Sequence, residues 1–200
     1  LAGAGINLER YKMQPYPKHT RIHFLYLGRI MKEKGIDELF YAVRHLKKEN
    51  ENFVLDLVGF FEDEYKEQVK ELEKHSIAHF YGFQSDPRPF YIEADCVVLP
   101  SYHEGMSNVL LEAAATGRPV ITSNIPGCRE SVENGKSGLL VEVKNKEMLY
   151  DAMKEMLHCS REEREQMGQA GREKMEREFR KEVVVEKTVQ SLREDEKRDF

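Results

Sequence analysis

The sequence predicts an α/β fold: a Rossmann-like, doubly wound parallel sheet of about six strands, with helices on both faces and a helical C-terminal tail. Two observations carry this. From Arg21 onward, short apolar runs alternate with amphipathic stretches whose apolar residues recur at helical spacing. The apolar runs, FVLDLV and CVVL among them, lack the alternation of a strand with one wet face. Hairpins would not bury them; right-handed crossovers and a sheet covered on both sides would.

In chain order, RIHFLYLG reads as the first strand, and IDELFYAVRHLKKEN as a helix with Ile36, Leu39, Phe40, Val43 and Leu46 on one face. FVLDLVG is the second strand, FEDEYKEQVKELEKH the second helix, IAHFYGF the third strand, Arg88 to Ala94 a short helix and DCVVLP a buried fourth strand. SNVLLEAAATG is a helix that Gly117 ends, because glycine suits a left-handed C-terminal cap. PVITS is the fifth strand, GCRESVENG a short helix and SGLLVE the sixth strand, and the rest is helical. The densely interleaved charges of REEREQMGQAGREKMERE predict a solvated surface helix. Residues 1–18 show no strong periodicity and read as a linker, with a Rossmann-like domain over 19–180 and a C-terminal helix or tail over 181–200. The chain opens on Leu1 rather than Met, which suggests a fragment of a longer protein.

Composition narrows the function. The 200 residues are 40% hydrophobic, with Phe and Tyr well represented, as in a soluble globular protein. A formal net charge of -5, with Lys and Arg mostly interleaved with acids, argues against nucleic acid, which needs clustered unopposed cations. The longest apolar stretch, Cys96 to Leu99, falls far short of the roughly 20 residues that span a bilayer, and no signal segment opens the chain, so an intracellular, cytoplasmic domain is expected. Cys96, Cys128 and Cys159 share no CxxC spacing and read as free thiols. Gly3, Ala4 and Gly5 start a dinucleotide-type pattern, but Leu8 stands where a third glycine belongs and no strand precedes it, which rejects NAD there.

In doubly wound sheets ligands sit beyond the carboxyl ends of the strands. The first such loop, GRIMKEKG, carries Arg29 and Lys34 between Gly28 and Gly35: a planar fork and a mobile point charge, suited to a pyrophosphate or simply surface cations. The fourth, SYHEGMSNVLLEAAATGRPV, places Glu104 and Glu112 with seven residues between them across a turn into a helix. Ser107 or Asn108 is the natural N-cap, and the backbone N–H groups of Gly105, Met106, Ser107 and Asn108 with the positive helix end form an anion site. Glu112 lies one turn in, among apolar and small residues, where a carboxylate needs a partner: two vicinal ribose hydroxyls, or a cation such as Arg29. Glu104 could cap a helix or accept hydrogen bonds from sugar hydroxyls, and His103 reads either as a general base or as an ordinary loop histidine. Glu62, Asp63 and Glu64 fall in the second helix's expected first turn, where acids favour the dipole; neither they nor any other grouping predicts a metal site.

GRIMKEKG, LVGFFED, YGFQSD, EADCVVLPSYHEGMSNVLLEAAATGRPVITSNIPGCRE and NGKSGLLV, in this order and spacing, resemble the second, donor-binding domain of the retaining glycosyltransferases of family 4, also called group 1. GAGINLERY looks like that family's interdomain linker, so the likeness runs to roughly Phe179. It implies the C-terminal half of a GT-B fold, with the acceptor bound by the domain that would precede it. It implies that Gly28, Arg29 and Lys34 meet the donor's diphosphate, Glu104 its sugar and Glu112 its ribose. Gly105, Met106, Ser107 and Asn108 would cradle sugar and phosphate, and Phe83 and Gln84 lie beside the base. Arg29, Lys34 and Glu104 become the catalytic candidates. Phe60 and Phe61 depart from the family's glycine-rich loop after the second strand.

The resemblance further implies a nucleotide-sugar donor, a UDP-sugar in polysaccharide-building relatives, and retention of configuration without an essential metal. A glycan or lipid-linked acceptor in surface polysaccharide or capsule biosynthesis follows, with peripheral membrane association of a whole protein and no transfer by this fragment alone. A sugar-nucleotide epimerase and a non-catalytic nucleotide-binding module are the alternatives.

Overall fold

A computed structural model describes residues 5–196; Gly3, Ala4 and the last four residues of the tail lie outside them. Six strands form one parallel sheet: β1 (Ile22–Leu27), β2 (Phe53–Val58), β3 (Ala78–Phe80), β4 (Cys96–Leu99), β5 (Val120–Ser123) and β6 (Gly138–Val141). Their spatial order is β3-β2-β1-β4-β5-β6, so the chain winds outward from β1 to β3 and then returns to lay β4 against β1, with Phe24 beside Cys96. The doubly wound sheet is as expected, and it puts the switch point between β1 and β4. Every residue of β2, β4 and β5 is buried, which explains their unbroken apolar runs.

The described residues form seven α-helices: α1 (Ile36–Lys48), α2 (Lys66–Lys74), α3 (Arg88–Glu93), α4 (Asn108–Ala115), α5 (Lys146–His158), α6 (Arg161–Lys174) and α7 (Lys181–Glu196). Gly117 follows α4 at φ 81°, the left-handed conformation expected there. Two expected helices are shorter. Arg129–Ser131 is a single 3-10 turn, and α2 begins after the acids 62–64 rather than with them. Those acids are pulled across to the first loop: Glu62 pairs with Arg29, and Asp63 accepts from the Lys32 N–H at 2.7 Å.

The surface helix is half structural. Ser160 and Glu163 cap α6 reciprocally, but its inner side buries Arg164, Gly168, Gly171 and Lys174. Arg172 donates to the carbonyls of Tyr11 and Ala115, both at 2.8 Å, and Arg161 to that of Tyr16 at 2.8 Å. A π-helical turn at Met175–Phe179 follows and buries its two end residues.

The leading segment is packed onto the domain. Ile6 bridges to Arg180, Tyr16 donates to the Asp95 carbonyl at 2.5 Å, and Ile6, Tyr11 and Tyr16 are all buried. Arg118 is the fastener. Fully buried, it donates to the carbonyls of Tyr91 (2.8 Å), Ile92 (3.0 Å), Pro15 (2.9 Å), Gly117 (3.2 Å) and Gln14 (3.4 Å). Its five donors are thus matched by carbonyls from three segments. Arg118→Met keeps the bulk but strands those carbonyls, so urea unfolding should show a loss of about 3 kcal/mol or more. An unchanged midpoint would show that Arg118 does not hold the segments together.

Candidate active site

The loops after β1 and β4 meet at the switch point. Gly35 makes this possible: at φ 72° it brings the loop after β1 so close to the loop after β4 that a Cβ would sit 2.1 Å from the Pro100 carbonyl oxygen. Tyr102 N–H then donates to the Glu33 carbonyl at 2.8 Å, tying the loops together. Across this junction Lys34 Nζ meets Glu104 Oε1 at 2.6 Å, both largely buried, and Ser101 Oγ donates to the same oxygen at 2.8 Å. Glu104 Oε2 is left open, and His103 beside it is exposed.

Arg29 sits on the same loop, whose backbone is held by the buried Tyr26 hydroxyl donating to the Arg29 carbonyl. Its guanidinium rests on Glu62, at 2.8 and 3.1 Å to the two carboxylate oxygens, in an exposed pair. Exposed pairs contribute little, about 0–1 kcal/mol, so an arriving phosphate can displace Glu62 at small cost. Gly28 begins the loop and donates to the Val58 carbonyl at 2.9 Å.

Ser107 is the N-cap of α4, but its side chain caps nothing. Its N–H, expected to be free for an anion, is spent on the Gly127 carbonyl at 3.0 Å. Among the described residues, the N–H groups of Gly105, Met106 and Asn108 have no protein acceptor and remain available. Gly127 is pressed against this turn, where a Cβ would fall 1.4 Å from the Gly105 carbonyl oxygen. The result is a cavity of about 510 Å³ walled by Glu104, Met106, Pro126 and Glu130. Glu130 was not among the sequence candidates; it accepts from the Gly127 N–H at 2.7 Å.

Beyond β2 and β3, Phe83 is 70% exposed and meets Phe60 edge-to-face with centroids 6.4 Å apart. Gln84 donates from Nε2 to the Tyr81 carbonyl at 2.8 Å, and Phe61 packs at 4.8 Å on Phe80 instead of facing solvent.

Among the described residues no cation forms an ion pair with Glu112; Arg29, the cation named for it, is held by Glu62. Glu112 Oε2 accepts from the Tyr91 hydroxyl at 2.9 Å, and the Tyr11 hydroxyl bears on the same carboxylate. Neither tyrosine was a sequence candidate. The signal was indirect: a carboxylate in an apolar helix face demands a donor, and phenols hide among core aromatics. Burial raises the carboxyl's pKa, against the opposing pull of Tyr11, Tyr91 and Arg10. Between the carboxyl's ordinary value of 4.5 and its raised value in the fold, the folded chain keeps a proton that the unfolded chain has lost, so stability falls as pH rises through that window. Glu112→Gln removes the buried charge. It should raise the melting temperature at pH 7 on the order of 2–4 °C, and the gain should vanish below the carboxyl's ordinary value of 4.5. A lower melting temperature at pH 7 would contradict this.

A family model described as "Glycosyl transferases group 1" matches residues 9–174. The capsular polysaccharide biosynthesis glycosyltransferase CapM of Staphylococcus aureus is 28% identical over 193 residues, covering 91% of this chain and 50% of that protein. The structure of sucrose-phosphate synthase from Thermosynechococcus elongatus superposes with a TM-score of 0.79 at 26% identity, covering 95% of this chain and 51% of that one. HepE from Anabaena, solved in complex with UDP and glucose, shares the fold with a TM-score of 0.78 at 20% identity, over 94% of this chain and 55% of that one. The chain thus spans about half the length of each of these three proteins. No helix among the described residues is long and apolar enough to cross a membrane. With the family model covering most of the chain, and the six-stranded sheet matching the Rossmann-like fold of GT-B glycosyltransferases, this chain belongs to the group 1 glycosyl transferases.

Proposed function

We propose that this chain is the donor half of a retaining family 4 glycosyltransferase, binding a nucleotide sugar, with UDP-sugar the favoured donor. The observation that carries the reading is the convergence of Lys34 and Glu104, 2.6 Å apart, beside the open N–H groups that begin α4. A diphosphate at that helix end would be met by Lys34, by Arg29 released from Glu62, and by the N–H groups of Gly105, Met106 and Asn108. Ser107 contributes position rather than a donor. The sugar would lie over Glu104 Oε2, the ribose at Glu112, and the base beside Phe83 and Gln84.

In transfer, the bond from the sugar's anomeric carbon to the diphosphate breaks and a bond to an acceptor hydroxyl oxygen forms. The acceptor's proton passes to the departing phosphate on the same face. Negative charge grows on the diphosphate while the sugar becomes cation-like, so preorganised donors at the phosphate carry the catalytic effect. Arg29, Lys34 and the α4 end supply them, and no step calls for a metal ion. Glu104 orients the sugar and favours its positive charge. The acceptor, a glycan or lipid-linked glycan in surface polysaccharide biosynthesis, would be held by the other half of a whole protein working in the cytoplasm or at the membrane's inner face. The likeness to a capsular polysaccharide enzyme supports this assignment.

Calorimetry on this chain should show binding of UDP, GDP or ADP with clear preference over NAD. Arg29→Ala and Lys34→Ala should each weaken it about tenfold or more, the worth of one charge-assisted contact. Equal affinity for NAD, or indifference to both substitutions, would sink the reading. Without the acceptor-binding half the chain alone should transfer no sugar.

A further inference from the structure

Two phenols from separate parts of the chain close on Glu112. Tyr91, on α3, is fully buried and donates to Oε2 at 2.9 Å. Tyr11 comes from the leading segment, 7% exposed, and meets the Tyr91 ring edge-to-face at 6.3 Å and 76°. Burial first, then its contact with Glu112, raises the Tyr11 phenol to about 12, so it stays a donor at neutral pH. Both backbones are fixed: Arg118 grips the Tyr91 carbonyl at 2.8 Å, and Arg172 of α6 grips the Tyr11 carbonyl at 2.8 Å. A groove of about 410 Å³ opens beside them, between the leading segment and α3, with Tyr11, Asp86 and Arg88 in its wall.

A carboxylate offers about four lone-pair sites. Tyr91 takes one of these on Oε2 and Tyr11 bears on the same group, which leaves further sites for a ligand and restrains the rotamer that aims them. A vicinal diol, donating one hydrogen bond to each oxygen, needs both a fixed plane and an ionised acceptor. We propose that Tyr91 and Tyr11 are positioning residues that hold Glu112 for a ribose diol, so that the leading segment takes part in selecting ribonucleotides over 2′-deoxyribonucleotides. This rests on the donor-nucleotide reading and extends it to residues that need not touch the ligand. The groups facing Glu112 and the two phenols are Arg10 in the leading segment, and Asp86 and Arg88 at the start of α3. The guanidinium of Arg172 is engaged with Glu176 and with carbonyls.

The test is calorimetry on the full chain with the tightest-binding of UDP, GDP and ADP, its 2′-deoxy analogue, and inorganic pyrophosphate, for wild type, Glu112→Gln, Tyr91→Phe and Tyr11→Phe. Wild type should prefer the ribonucleotide by roughly tenfold, one well-made hydrogen bond to a charged group. Glu112→Gln should erase the preference. Each Phe variant should reduce it at least threefold and move the pH at which affinity falls upward, because the ionised carboxylate has lost a donor. Pyrophosphate affinity should stay at the wild-type value throughout. Phe variants that keep the full preference and the wild-type pH profile overturn the inference, as do variants that lose nucleotide and pyrophosphate in parallel. Nucleotide binding that depends on Arg29 yet ignores both phenols overturns this inference alone; no nucleotide binding by wild type overturns the donor reading with it.

Discussion

A parallel sheet whose strand order reverses must leave a notch where the two windings part, because the crossovers from neighbouring strands lead to opposite faces. Here that notch opens between β1 and β4, and the rest of the site depends on it. The loop leaving β1 is cationic and the loop leaving β4 turns into a helix N-terminus, so both present positive charge to the same space. Glu104 neutralises part of that charge through its pair with Lys34. Its pair with Lys34 is screened less than the open pair of Arg29 with Glu62, and the two cations therefore differ in how firmly they are held.

On the α3–α4 side of the notch the economy is one of buried polar groups. Among the described residues neither Arg118 nor Glu112 forms an ion pair; carbonyls take up the donors of the first, and the Tyr91 phenol serves the second. Tyr91 joins the two, giving its carbonyl to Arg118 and its hydroxyl to Glu112. The leading segment is part of this arrangement through Gln14, Pro15 and Tyr11, so the ribose side of the proposed site is built partly from chain that precedes the first strand.

Much of the fold was legible because it is written in apolar periodicity. CVVL and FVLDLV cannot sit in half-wet strands, and Gly117 marks the end of α4 by its conformation alone. Where periodicity fails, legibility failed too. The 62–64 acids looked like a helix start because α2 buries only Val69 and Leu72, too few to mark its first turn, and tertiary partners on the first loop decided their place. The packing of the leading segment onto the domain was not legible, because it rests on buried Ile6, Tyr11 and Tyr16 and on carbonyls bound by distant arginines, a pattern that no local spacing shows. In the site, the meeting of the first and fourth loops could be inferred from topology. Ser101, Glu130, Tyr11 and Tyr91 could not, since their roles follow from distances between segments far apart in sequence. The N–H of Ser107 was misjudged for the same reason: its acceptor, Gly127, lies on another loop.

The central claim is that the notch between β1 and β4 receives a nucleoside diphosphate. A crystal structure of the chain with UDP tests it most directly. The diphosphate is expected at the start of α4, with Arg29 turned away from Glu62, Lys34 shared with or withdrawn from Glu104, and the ribose hydroxyls on Glu112 with Tyr91 still bound. A nucleotide lodged elsewhere, with the Lys34–Glu104 and Arg29–Glu62 pairs intact, would contradict it.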